Sequence, residues 1–143
     1  MIGVEIKLVN NMNFKKEIDE ITKQAISELD KVKFNQRTNE DRLKAIGNIY
    51  FIYSNGEMKY IGQRQSKGIK TRLDQHLFGK SFSVDKNNVQ NGTISKWNMV
   101  SAEIENGNKI TFKTILIEPD NLRTTIELEL INHFKPEWNI QGK

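Results

Sequence analysis

The chain of 143 residues has no cysteine and only two histidines, His76 and His133. Without cysteine there is no disulfide and no thiolate metal site, and two histidines do not furnish a histidine-rich zinc centre. Any metal the protein uses belongs on oxygen ligands, as a hard cation does. Long apolar runs are missing too. No segment approaches the roughly 20 apolar residues of a membrane span, and the N-terminus lacks the apolar stretch of a signal peptide. The expectation is an intracellular (cytoplasmic) protein with no membrane partner. Excess charge is small: 22 Lys and Arg against 18 Asp and Glu leave +4, which suits a polyanionic partner and equally a plain basic surface. Hydrophobic residues make up 36%, enough for one ordinary domain with one core. There is no internal repeat and no low-complexity tract.

Periodicity orders what is present. Phe14, Ile18, Ile21, Ala25, Leu29 and Val32 recur at helical spacing, predicting an amphipathic helix over 13–34 with Asn13 as its cap. The polar stretch KFNQRTNEDRLKAIG reads as a connection, with a boundary near residue 46. Strands are expected at 48–53 and 58–62 around Asn55-Gly56, the strongest short-range hairpin signal. Leu73, Leu77 and Phe78 suit a short helix over 70–78 stopped by Gly79, and a long polar loop follows. A second helix fits 93–106, with Ile94, Trp97, Val100 and Ile104 on one face, and KITFKTILIE alternates as a third strand. In a final helix capped by Asp120, Leu122, Ile126, Leu130 and Phe134 fall four apart, and Pro136 ends it.

The hairpin carries all three tyrosines of the chain, Tyr50, Tyr53 and Tyr60. If Asn55-Gly56 alone formed the loop, Tyr53 would pair with Met58 and Phe51 with Tyr60, and Tyr50 and Tyr60 would lie on opposite faces. A three-residue loop, Ser54-Asn55-Gly56, sets them directly opposite each other on one face, and that register is the expectation.

Residues 48–139 carry a longer pattern: NIY, then YIG after a ten-residue step, then RLDQH with Arg72 and His76, then ELELINHFKPEWN. In this order they resemble the GIY-YIG nuclease family, and the ending FKPEWNIQGK and compact length are most similar to its phage endonuclease II group. Asn48 stands where the family pattern has glycine. Taken singly, each residue has an ordinary reading, a tyrosine packing in a strand or a solvated charge on a helix; the joint order carries the resemblance.

The resemblance implies hydrolysis of a DNA phosphodiester. Such a reaction needs a base for water, neutralisation of the phosphate oxygens and stabilisation of the leaving oxygen. Glu127 is the implied ligand of one Mg²⁺ (or Mn²⁺), a cation that keeps several waters. Arg72 has a planar fork suited to a phosphate oxygen, and His76 lies one helical turn further on the same face. Tyr50 is the expected base and Tyr60 the positioning hydroxyl; a free phenol titrates near pH 10, so the base needs a neighbouring cation. Asn139 is expected to hold the geometry through hydrogen bonds. Arg64, Lys67 and Lys70 form a basic cluster leading into Arg72, and Lys96 is a further candidate for the DNA backbone.

The expected fold is therefore α+β: a small three-stranded antiparallel sheet flanked by helices, as in the GIY-YIG nuclease fold, over 47–143, with residues 1–46 as an N-terminal helical extension. The chain ends four residues after Asn139, which favours a standalone restriction-type or phage DNA-degrading endonuclease. The alternatives are a structure-specific repair or recombination nuclease, and a catalytically silent nucleic-acid-binding module. A small nuclease gains footprint by self-association, so a homo-oligomer, dimer or tetramer, is expected with the N-terminal helix as its contact.

Overall fold

The computed structural model describes residues 2–64, 71–79 and 92–141, with backbone alone at 2–13, 71, 72, 74, 75, 92–95, 140 and 141. The elements are α1 (Ile2–Lys31), β1 (Asn35–Gln36), α2 (Asn39–Lys44), β2 (Ile49–Ser54), β3 (Glu57–Gln63), α3 (Thr71–Phe78), α4 (Gly92–Glu105), β4 (Ile110–Ile115), a 3₁₀ turn (Asp120–Leu122), α5 (Arg123–Phe134) and α6 (Glu137–Gln141). The strands form one antiparallel sheet in the order β1-β4-β2-β3. The fold is thus α+β, as expected, but the sheet has four strands. The extra one, β1, lies in the supposed connection, where Asn35 and Gln36 pair with Phe112 and Thr111. The same connection holds α2, whose N-cap Thr38 accepts a hydrogen bond from the amide of Asp41.

Central placement explains β2. Flanked by strands on both sides and by helices on both faces, it has all six residues buried, so its sequence is continuously apolar rather than alternating. Ile49, Phe51 and Tyr53 face a cluster with Ile18, Ala25 and Leu29 of α1 and Ile126 and Leu130 of α5. Tyr50 and Ile52 face the other side, with Leu73 and Leu77 of α3, Val100 of α4, Phe112 of β4 and Trp138 of α6. The expected single core is two layers divided by the sheet. Stretch 1–46 shares it: the apolar stripe of α1 is buried in the first layer, and Lys113 of β4 donates to the Leu29 carbonyl in the last turns of α1. That helix starts well before Asn13, which lies inside it instead of capping it. At the other end of the chain, Asp120 begins the 3₁₀ turn that leads into α5.

The hairpin register differs from the expected one. Asn55 and Gly56 both have positive φ, 50° and 83°, and Ser54 pairs with Glu57 around them, which is a two-residue turn of the primed type. The register then shifts: Tyr53 pairs with Met58 but Ile52 pairs with Tyr60, leaving Lys59 as an extra residue in β3. This bulge reverses the parity of the ladder. Tyr50 is opposite Gly62, and Tyr60 lies one step along on the same face. The two phenols share a face through a bulge, not through a three-residue loop. Among the described residues no helix is long and apolar enough to cross a membrane.

Candidate active site

The face shared by Tyr50 and Tyr60 is where β2 and β3 meet α3, α4 and α6. The ring centroids of Tyr50 and Tyr60 are 6.3 Å apart, those of Tyr50 and His76 5.8 Å, and those of Tyr60 and His76 5.2 Å in an edge-on contact. His76 is brought in by α3, whose Leu73 and Leu77 anchor in the core on either side of it. Tyr50 can approach β3 this closely because residue 62 has no side chain: a Cβ there would stand 2.4 Å from the Tyr50 ring and hydroxyl. The glycine of YIG is thus a seat for the tyrosine of NIY.

Lys96 of α4 closes the group. Its ammonium lies 5.1 Å from the Tyr60 ring centroid and donates to the Trp138 carbonyl at 2.7 Å. Burial pulls its pKa below the ordinary lysine value. Lys96 was expected on the DNA backbone. It is instead 7% exposed and engaged inside the fold, a distinction that charge alone does not reveal. Arg64 departs in the same way: buried, it donates from Nε to the Gly47 carbonyl at 2.9 Å and from its terminal nitrogen to the Ala45 carbonyl. It clamps the chain entering β2. Lys67 and Lys70 lie outside the described residues, and of Arg72 only the backbone position on α3 is described.

Glu127 comes from the opposite face. Helix α5 packs on the Ile49–Phe51 side, and Glu127 Oε1 accepts from Gln63 Nε2 at 3.4 Å. Gln63 also accepts from the Thr124 hydroxyl at 3.1 Å. Because Gln63 follows Gly62, the carboxylate reaches the same end of β3 that carries the Tyr50 seat. Among the described residues no three His, Cys, Asp or Glu side chains cluster as metal ligands. A single half-buried carboxylate fits a cation such as Mg²⁺, which retains waters and takes its remaining ligands from phosphate, and does not fit an all-protein cage.

Asn139 ties α6 to β3. Its Oδ1 accepts from the Ile61 amide at 2.8 Å and its Nδ2 donates to the Ile61 carbonyl at 2.9 Å, docking α6 on β3 between Tyr60 and Gly62. Lys59 reinforces this contact through an ion pair to Glu137 at 3.2 Å, and also pairs within β3 with Glu57 at 2.6 Å. Asn48 was not foreseen as important. Fully buried, it bonds through its side chain to Ile117 and Asp120. The signal available was an amide at a position where the family pattern has no side chain.

No family model, no curated protein and no solved structure matches the chain.

Proposed function

We propose that the chain is a metal-dependent DNA endonuclease that hydrolyses phosphodiester bonds, of the restriction or phage DNA-degrading kind. One observation carries the reading: Tyr50, Tyr60 and His76 converge from three elements with ring centroids 5.2 to 6.3 Å apart. Apolar packing favours hydrocarbon at such a place, and two phenols, an imidazole and a buried ammonium are costly to gather without a use.

In this reading Glu127 would hold the cation, which when bound neutralises charge developing on the phosphate oxygens. Tyr60 first loses its own proton to solvent, and the phenolate oxygen then takes the proton of the attacking water. Tyr60 is the partly exposed phenol of the pair, and the Lys96 ammonium over its ring stabilises the negative charge the ring carries after the proton leaves. Tyr50 has no exposed surface, so its hydroxyl serves better to position than to deprotonate water. The two phenols thus exchange the roles that the sequence suggests. His76 packs edge-on with Tyr60 and at a tilt with Tyr50 and fixes their orientation, and Arg72 contributes a phosphate contact from the same helix. Asn139 keeps β3 in place beneath them.

The test is cleavage of supercoiled plasmid with Mg²⁺ and with EDTA, for the parent, Glu127→Ala and Arg72→Ala. Glu127→Ala should abolish cleavage and leave DNA affinity in EDTA unchanged or slightly tighter, because one repulsive charge is gone. Arg72→Ala should lose both rate and affinity, with a salt dependence shallower by up to about one phosphate contact. A folded Glu127→Ala protein that cleaves within a few fold of the parent would overturn the metal assignment. Binding without cleavage by the parent would leave a nucleic-acid-binding module.

A further inference from the structure

Asn48 offers a buried amide, with a donor and an acceptor in the geometry of a peptide group, at the entrance to β2. Its Oδ1 accepts from the Ile117 amide at 2.8 Å, and its Nδ2 donates to the Ile117 carbonyl at 2.9 Å. The side chain therefore pairs with Ile117 as a strand would, just past the last residue of β4. Nδ2 makes a further bond, at 2.9 Å, to Asp120 Oδ1. The other carboxylate oxygen of Asp120 accepts from Arg123 at 2.5 Å. Asp120 opens the turn that starts α5, and Glu127 lies seven residues on, two helical turns away. The main chain of Asn48 is tied as well, its carbonyl accepting from the Arg64 amide at 2.9 Å. Tyr50 follows two residues later.

We propose that Asn48 is a positioning residue that sets α5, and with it Glu127, against the strand carrying Tyr50. The inference rests on the nuclease reading for the role of Glu127, but the placement of α5 does not depend on that reading. Two paths lead from this one amide. The first runs along β2 to the phenol; the second runs through Ile117 and Asp120 into the first turn of α5. A residue without a side-chain amide keeps the first and loses the second, because glycine or alanine leaves the nearly buried Ile117 peptide and the Asp120 carboxylate without the bonds that fix them. Glutamine carries the same group one methylene too far out. Aspartate turns an oxygen toward both the Ile117 carbonyl and the Asp120 carboxylate, and repels each.

The experiment compares the parent with Asn48→Ala, Asp120→Ala, Asn48→Asp and the double variant Asn48→Asp/Asp120→Asn. Mn²⁺ is titrated into each ¹⁵N-labelled protein without DNA, and the broadening of amide signals of 124–130 is followed. Asn48→Ala and Asp120→Ala should raise the Mn²⁺ midpoint at least fivefold, while DNA affinity in EDTA stays within twofold. Asn48→Asp should be worse still. The double variant regains a donor at position 120 for the carboxylate at 48 but keeps the repulsion at the Ile117 carbonyl, so its midpoint should fall between those of Asn48→Asp and the parent. A role confined to stability predicts a lower melting temperature with an unchanged midpoint well below it, and that result overturns the proposal. If Asn48→Ala does not fold, Asp120→Ala, which leaves the Ile117 pairing intact, decides. If the parent neither cleaves DNA nor shows Mn²⁺ broadening at α5, the nuclease reading falls. The positioning role then stands or falls on the metal-free amide shifts of 120–130, and unchanged shifts in both alanine variants refute it.

Discussion

Gly62→Ala tests whether the seat beneath Tyr50 serves chemistry or only packing. The new methyl carbon would stand 2.4 Å from Cζ and Oη of Tyr50 and 2.6 Å from Cε1, where an ordinary contact between such atoms is about 3.5 Å. The ring must retreat by about 1 Å. It has no free side on which to do so, being fully buried among His76, Tyr60 and the core of α3 and α4. Overpacking of this kind costs about 1–3 kcal/mol of stability. Displacement of a reacting or positioning group by about 1 Å costs on the order of 10²-fold in rate. Gly56→Ala is the matched control. Its backbone has φ +83° and nothing lies within 4 Å of an added Cβ, so left-handed strain of about 1–2 kcal/mol falls on the hairpin tip with no effect on the tyrosines. Urea unfolding should give the two variants comparable losses. Plasmid cleavage at a temperature where both are folded should separate them, with Gly62→Ala down about a hundredfold and Gly56→Ala within about threefold. Equal activities would refute the argument, because Tyr50 would then tolerate a displacement that a working site does not.

Two further outcomes follow from groups outside that seat. Burial, with a smaller contribution from Asp30, raises the pKa of Tyr53 above the usual value of a phenol; the folded state holds the proton more tightly than the unfolded chain, so this stability is complete below about pH 10 and lost as pH rises beyond it. Tyr53→Phe should therefore flatten the alkaline limb of a stability profile measured by urea unfolding, and an unchanged limb would count against this assignment. Arg37 donates from Nε to the Leu77 carbonyl at 2.5 Å, with its guanidinium 5.0 Å from the Phe78 ring centroid and 5.7 Å from that of Trp97. Arg37→Ala should loosen the end of α3 by about 1–3 kcal/mol and shift the imidazole NMR signals of His76, whereas unperturbed signals would detach Arg37 from the site.

Elements with local signals were legible from the chain, and residues whose roles depend on distant partners were not. Asn55-Gly56 specifies its turn through backbone conformation alone, so the hairpin was readable. The bulge at Lys59 was not, because lysine carries no local preference for an unpaired position; the shift is fitted by the docking of Asn139 and Glu137 across 78 residues of sequence. Likewise, β1 is two polar residues with no alternation to detect. Lys96 and Arg64 look in sequence like any surface cation, and only the carbonyls of Trp138, Gly47 and Ala45 reveal that both point inward. The shared face of Tyr50 and Tyr60 was anticipated, although by the wrong loop.

The double bond from Asn139 to Ile61 has a consequence for how the molecule behaves in a crowd. Among the described residues no strand pairs with the outer side of β3, and a bare flank of a sheet is a template on which another polypeptide can add as an extra strand. At Ile61 both main-chain groups are already taken by one side chain. The bulged Lys59 beside it interrupts the regular repeat an incoming strand would follow. An intruder must peel α6 away before it can pair. The last turn of helix is therefore a guard against aggregation as well as a support, and lesions in it have a route to precipitation that leaves the rest of the fold intact.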